Sequence, residues 1–459
     1  MTVTAPLRPD VIVVGAGSAG CVLAARLSER PDRRVLLLEA GPDLRTADRP
    51  PAFSGPSFVA AMAEPGRTWP GLPARRAAGQ EPRTYVRGRG VGGSSAVNAM
   101  VALRGEPADY DEWASVYGCT GWAWADVAPW FARTALVLHR APASEWGALN
   151  LELGRAHPSC AGGVELTRDA SGVRVSAADA YLEPARARPN LEVRCEVAVD
   201  RVLLDGHHAA GVRLVDGTEI EAATVVLAAG AIHSPVILLR SGIDVDGIGH
   251  GLQDHPSFPI TVRVDEPGDP GGLPIATVAT LPSTEAPGDL QLLPIDHIDP
   301  AHPELAVLMA AVMRVHSRGS VTLPDGPADP LADPVIEMRL LDDERDARLL
   351  QQAIDAAEAV LDPGLDPGLV SVRPAIEALP YDRSDAGVRA VLGDYVHAAG
   401  TCAMGVVVDP ACRVVRHHGL LVCDASVMPV VPRANTHLPT VMIAERIAAR
   451  LAVDLDASA

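Results

Sequence analysis

The chain's apolar positions change period twice within its first forty residues. Asp10–Gly15 (DVIVVG) is a short unbroken apolar run, the pattern of a strand buried on both faces. Ser18–Glu29 then carries Val22, Leu23 and Leu27 at helical spacing, and Pro31 stops it. Arg34–Leu38 (RVLLL) is a second buried strand. A strand, helix and strand this closely spaced require a right-handed crossover and a parallel sheet. The stretch 45–83, rich in Pro, Gly and Arg, reads as a long irregular excursion, and Ala123–Leu136 as an aromatic-rich helix. Alternating strands follow over Asn190–Leu227, with turns at Asp205-Gly206 and Asp216-Gly217. Thr224–Ala229 is a further buried strand ending at Gly230. Residues 256–325 mix strand-like segments with Pro/Gly turns, and Asp342–Leu361 reads as a helix. From His397 the chain turns dense in Gly, His and Asp, then closes on a helix from about Thr440 to Val453.

Composition narrows the classes. A chain of 459 residues makes about two or three domain-sized units. No apolar run reaches the ~18 residues of a membrane span. Met1–Pro9 lacks an apolar stretch, so neither a transmembrane segment nor a secretory signal is expected. The net charge of -19 argues against nucleic acid as a partner. Lysine is absent altogether, which excludes Schiff-base and Walker-type phosphate lysines. Seven cysteines without a C-x-x-C pair point to a reduced, cytoplasmic compartment, with peripheral attachment to the inner face of the membrane as the variant reading. No His/Cys cluster has zinc spacing, and His417-His418 sit in a turn, so no metal is expected.

Gly15-x-Gly17-x-x-Gly20 follows the first strand and opens the first helix, with Ser18 and Ala19 inside it. The first glycine permits the tight turn, the second lets a pyrophosphate approach the backbone, and the third lets helix pack on strand. The helix N-terminus offers free N–H groups to phosphate. Glu39, before Ala40, ends the second strand where it can accept hydrogen bonds from ribose hydroxyls. Strand, turn, helix and acid in this order indicate a dinucleotide. Gly88-x-Gly90-x-x-Gly93 repeats the glycine pattern with no strand before it and no acid-ended strand after.

Three further segments carry a resemblance. They are RGRGVGGSSAVNAMVALRG from Arg87 to Gly105, GAIHSPVILLRSGI from Gly230 to Ile243, and the end, with YVHAAGTCAMG at Tyr395, DASVMP at Asp424 and NTHLPTVMIAER at Asn435. With the N-terminal fingerprint, and with GWAWADVAPWF, RPNLEV and LQDHP between them, they resemble the glucose–methanol–choline (GMC) oxidoreductases over residues 10–450. The resemblance implies an α/β fold: a Rossmann-like FAD-binding domain assembled from discontinuous segments (1–45, 75–115, 186–255, 390–459), and an α+β substrate domain built on an antiparallel sheet (116–185, 256–389). Residues 46–74 would be a lid.

The same resemblance implies site residues. Gly88–Asn98, with Arg87, Val91, Gly92, Gly93, Ser94, Ser95 and Ala99, matches the loop that wraps flavin and pyrophosphate. Val199 matches the position whose backbone meets adenine. Ala229-Gly230 and Asp424-Ala425 match further cofactor segments, and His437, Leu438 and Thr440 would face the flavin from the last helix. Some members attach FAD through a histidine just before the asparagine matching Asn98. Val97 stands there, so the FAD is expected to be non-covalent. Asp244, where the family often has glycine, and the HGLQDHP segment from His250, where it often has asparagine before the leucine, depart from the pattern in local loops only.

Flavin oxidation of an alcohol requires loss of a hydride from carbon and of the hydroxyl proton. A neutral histidine suits the second task. His397 matches the family's base and Asn435 its partner. His437 is weighed chiefly as a flavin contact or packing residue, while His255 and His233 read as structural turn or helix residues. The implied reaction is CH–OH oxidation by an FAD dehydrogenase, with a small-molecule alcohol as substrate. The short build and PRANTHLP ending resemble the mycofactocin-associated branch, whose reduced redox cofactor would be the donor and a respiratory-chain component the acceptor. An O2-using oxidase and a hydroxynitrile lyase of the same fold are the alternatives. A nicotinamide reductase leaves the Arg87 and His397 motifs without a role. A non-catalytic flavin-binding protein would show no dependence on His397. Residues 265–390 are expected to line part of the substrate pocket.

Overall fold

The computed structural model describes residues 8–265, 269, 271–299, 301–325, 329, 330, 332–362 and 376–458. Part of the expected pocket-lining stretch, including 363–375, therefore lies outside the described residues, as do the first seven positions.

The apolar runs become the strands of one parallel sheet: β1 (Val11–Val14), β2 (Val35–Leu38), β3 (Leu191–Arg194), β4 (Thr224–Leu227) and β5 (Leu420–Val422), in spatial order β5-β4-β1-β2-β3. All residues of β1, β2, β4 and β5 are buried, as a sheet covered on both faces demands. Three helices matter for the site: α1 (Ser18–Leu27) follows β1, α2 (Gly230–Arg240) follows β4, and α3 (His437–Ser458) packs along α1. The three-stranded meander Val199–Asp205, His208–Leu214 and Glu219–Glu221 turns at Gly206 and Gly217, both at positive φ, where the sequence placed its turns.

A second core sits on an antiparallel sheet with the order Ala279–Leu281, Leu290–Ile295, Leu305–Val312, Ser257–Val264, Ile376–Ala378. Helix Glu344–Leu361 covers it with Leu349, Leu350, Ala353, Ile354, Ala357 and Val360, all buried and recurring every three to four residues along one face. Asp343 caps that helix by accepting from Arg345 N.

Several expected boundaries move. Helix Ala123–Leu136 is only Trp124–Phe131, and beyond it the backbone turns to other partners, Ala135 N–H donating to the Tyr181 hydroxyl. The last helix begins at His437, because Pro439 falls in its first turn, where a missing N–H costs no intrahelical bond. The excursion is not irregular throughout. It forms helices Pro51–Ser54 and Phe58–Ala63, and Pro73–Arg75 joins a mixed sheet with His250–Leu252, Gly319–Thr322, Val335–Glu337 and Arg83–Thr84. Such short elements are held by tertiary contacts and leave little periodic trace. Among the described residues no helix is long and apolar enough to cross a membrane.

Candidate active site

The two glycine patterns meet at the carboxyl end of the parallel sheet, where open α/β sheets bind ligands. Gly15 turns at φ +98°, and its N–H donates to Leu38 O at 2.7 Å. A Cβ on Gly20 would overlap the Gly15 carbonyl, so helix–strand packing forbids one. Gly92 N–H donates to Ala16 O (2.8 Å), and a Cβ on Gly93 would come within 2.8 Å of Gly17 Cα. The second pattern is thus explained by close approach to the first. Val91 is buried beneath it. Ser94 Oγ accepts from Arg87 Nη2 (2.7 Å) and Gly88 N (3.1 Å), and Arg87 reaches on to the Val396 carbonyl. Asn98 Oδ1 accepts from Met100 N (3.0 Å) and from buried Arg174; Ala99 beside it is half-buried.

Glu39 does more than the sequence shows. Its buried carboxylate accepts from Ala16 N (2.7 Å), Gly41 N (2.8 Å) and Gly90 N (3.0 Å), so it ties both glycine loops to the end of β2. The Ala40 carbonyl accepts from Arg89, and Val197 N–H donates to the Glu39 carbonyl, bringing the start of the meander, Val199, alongside β2. On β4's side, Asp424 accepts from Gly230 N (2.8 Å), Ser234 Oγ (2.6 Å) and Ser426 N (2.8 Å). Its carboxylate serves the start of α2, where Ala229 N–H donates to Ser234, and burial raises its pKa. Ala425 O receives the Gly400 N–H.

The residues fit an FAD by what they leave empty. Gly17 caps α1 with no side chain, and a Cβ there would meet no protein atom within 4 Å; the same holds at Gly230. The starts of α1 and α3 lie side by side, joined by Ser18 Oγ and His437 Nδ1 at 2.9 Å. Among the described residues His437 Nε2 is buried without a partner; burial lowers this imidazole to about 4, and with the Ser18 hydroxyl donating to Nδ1 the hydrogen sits on Nε2. Leu438 is buried behind it. Thr440 stands in the second turn, where its hydroxyl donates to the Thr436 carbonyl (2.7 Å) and keeps its acceptor lone pairs.

The two residues expected to carry the reaction, His397 and Asn435, lie on loops. His397 is half-buried, with Nδ1 at 2.9 Å from His255 Nδ1 and Nε2 at 3.3 Å from Asn435 Nδ2. Asn435 Oδ1 has no partner among the described residues. His255, read from sequence as a structural turn residue, is a direct partner of His397. No local signal marked it, because the pairing spans 142 positions. His233 does pack structurally, stacked on Trp69. Asp254, also missed, accepts from Tyr85 Oη (2.6 Å), His255 N (2.7 Å), His397 N (2.9 Å) and Tyr395 N (3.2 Å). Burial pushes its carboxyl up to about 7, and the donors around it pull the other way. Burial first, then His255 and Arg87, hold His397 well below the usual imidazole value. Asp254, His255 and His397 bring ligand-type atoms within 4.8 Å of one another, a grouping that chain spacing hid, and their contacts here are hydrogen bonds.

Residues 9–257 match the N-terminal family model of the GMC oxidoreductases, and residues 315–444 match the C-terminal one. The chain belongs to the GMC oxidoreductases. It is 32% identical to the 5-(hydroxymethyl)furfural oxidase of Methylovorus sp. (strain MP688), over 96% of this chain and 98% of that one. It is also 32% identical to the mitochondrial choline dehydrogenase of Homo sapiens, covering 95% and 88%. Among solved structures, pyridoxine 4-oxidase from Mesorbium loti superposes with a TM-score of 0.85 at 28% identity, covering 96% and 99%. The cofactor of this GMC oxidoreductase is FAD, on a Rossmann-like fold. The furfural oxidase alignment runs over 542 positions against 459 residues here, so that relative carries insertions that this GMC oxidoreductase lacks.

Proposed function

We propose that this GMC oxidoreductase oxidises an alcohol CH–OH group to an aldehyde or ketone, with His397 taking the hydroxyl proton. The observation that carries the reading is the half-buried imidazole of His397, its Nε2 set beside Asn435, whose own Oδ1 lacks a partner among the described residues. The groups that would hold FAD are the open backbone at Gly17, Ser18 and Ala19, the Gly88–Ala99 loop, Val199, Gly230, Ala425 and His437. Held there, FAD would supply a two-electron hydride acceptor at flavin N5. The chain's own residues do the rest. Asn435 orients the alcohol oxygen. His397, kept neutral at pH 7 by its surroundings, accepts the proton at Nε2, and the alkoxide character so created makes the carbon a better hydride donor.

The substrate class we put first is a bulky reduced redox cofactor of mycofactocinol type, with the electrons passed to a respiratory-chain acceptor rather than to O2. The PRANTHLP segment that carries Asn435 and His437, and the shorter build beside the furfural oxidase, support it. Anaerobic mixing with simple alcohols, choline, aromatic alcohols and a mycofactocinol-type donor should bleach the flavin with at least one of them. Reoxidation by dye but not by O2 identifies the dehydrogenase. Cyanide release from a cyanohydrin with no bleaching by any alcohol would identify a lyase and end this reading.

Non-covalent attachment follows from Val97, a buried side chain with no nucleophile, at the position where a histidine would form the bond. Acid precipitation should leave a white pellet and a yellow supernatant. Colour retained in the pellet would show a covalent flavin.

A further inference from the structure

His397 has two ring nitrogens, and a neutral imidazole leaves only one of them able to take a proton. His255 decides which. Its Nε2 lies 3.2 Å from the carbonyl oxygen of Pro432, an acceptor without a proton to give, so Nε2 carries the hydrogen of neutral His255. His255 Nδ1 is then a bare acceptor. It faces His397 Nδ1 at 2.9 Å, and one of the two nitrogens must donate, so His397 carries its hydrogen on Nδ1. His397 Nε2 is left bare, with Asn435 Nδ2, a donor, at 3.3 Å.

We propose that His255 is a positioning residue that fixes His397 in its Nδ1–H tautomer and so presents the Nε2 lone pair to the alcohol. The inference rests on His397 being the base. The opposite assignment sets a bare His255 Nε2 against the Pro432 carbonyl, lone pair against lone pair, and puts a hydrogen on the nitrogen that must receive one. The backbone holds both rings to the working arrangement. Asp254 accepts from His255 N through Oδ1 and from His397 N through Oδ2, and the rings stand nearly perpendicular, at 85°. Tyr85 locks the carboxylate in turn. Its hydroxyl donates to Asp254 Oδ2 and accepts from Ala398 N at 2.8 Å.

The chain of hydrogen bonds is closed at its far end, because a peptide carbonyl cannot carry a proton away. In the reaction step the substrate O–H bond breaks and an Nε2–H bond forms. The imidazolium keeps its Nδ1–H in the bond to His255, and the proton leaves from the Nε2 side.

The test compares His255→Leu, which removes the acceptor, with His255→Asn, whose Oδ1 stands near the place of Nδ1, in the FAD-loaded enzyme. Nitrogen-15 NMR of ring-labelled histidine should show His397 protonated at Nδ1 in the wild type and in His255→Asn, and mixed tautomers in His255→Leu. Anaerobic flavin reduction should fall roughly 10²-fold in His255→Leu, the order expected for a mispresented base, with substrate affinity little changed, and should recover most of the loss in His255→Asn. A wild-type His397 protonated at Nε2, or full-rate reduction in His255→Leu, overturns the proposal. The wild-type spectrum decides the tautomer even if a variant does not fold. It also separates this failure from failure of the base assignment, which an unimpaired His397→Ala would reveal.

Discussion

Replacing His397 with Ala is expected to slow anaerobic flavin reduction by an alcohol roughly 10²-fold or more, the usual cost of losing a general base, while FAD stays bound. The flavin should stay because the groups assigned to hold it are on the Gly15 and Gly88 loops and at the starts of α1, α2 and α3. The loop around residue 397 should also persist, since its contact with Asp254 is made by the backbone N–H that alanine keeps. The residual rate would be that of a positioned but unactivated alcohol. Its pH dependence adds a sign. His397 works as a base only when neutral, and burial, His255 and Arg87 all disfavour its cation, with Asp254 reaching only its backbone and Tyr395 offering a ring edge. Wild-type activity should therefore persist as pH falls through the ordinary imidazole value of about 6.5 and decline only below it. The alanine variant should lack that acid limb. Stopped-flow reduction across pH checks both, and an unchanged rate at pH 7 removes His397 from the chemistry.

The second large effect separates two glycines three residues apart. Gly20→Ala should yield no folded flavoprotein, because its Cβ has no room against the Gly15 carbonyl and neither backbone segment can retreat without breaking the β1–α1 turn. Gly17→Ala should fold normally. Its φ of -81° suits any residue, and the added Cβ meets nothing in the protein. What it meets is the cofactor's approach, so FAD affinity should drop about tenfold or more, each tenfold being about 1.4 kcal/mol. Thermal melting of apoprotein and fluorescence titration with FAD distinguish them. A stable yellow Gly20→Ala, or a Gly17→Ala that binds FAD like wild type, contradicts the division of roles.

What could be read from sequence was what is local. β1, α1 and β2 follow from unbroken apolar runs, helical spacing and three glycines with separate duties. The meander turns are marked by Asp-Gly pairs. The glycines of 88–93 were visible, but their reason is Gly17 and Ala16, far away along the chain, so only the resemblance gave them a purpose. Glu39 was found as an acid at a strand end, whereas its grip on the Gly41 and Gly90 amides depends on tertiary placement. The last helix starts three residues before the expected Thr440, whose hydroxyl donates inside the helix. His255 and Asp254 lay in a noted motif, LQDHP, yet nothing around them announced His397. Hydrogen-bonded clusters assembled from distant loops have no period for a sequence to display.

The order of β5-β4-β1-β2-β3 also bears on how the molecule is made. On the proposed reading, the cofactor cradle opens at residue 15 but is finished by β5 and by the start of α3 at His437. During synthesis the nascent chain exposes β1 and α1 long before their last neighbours leave the ribosome, and loop closure over such distances is slow. With the cradle so assigned, FAD would have no complete receptor to bind until residue 437 has emerged. Flavin supply should govern the yield of soluble protein after translation rather than during it.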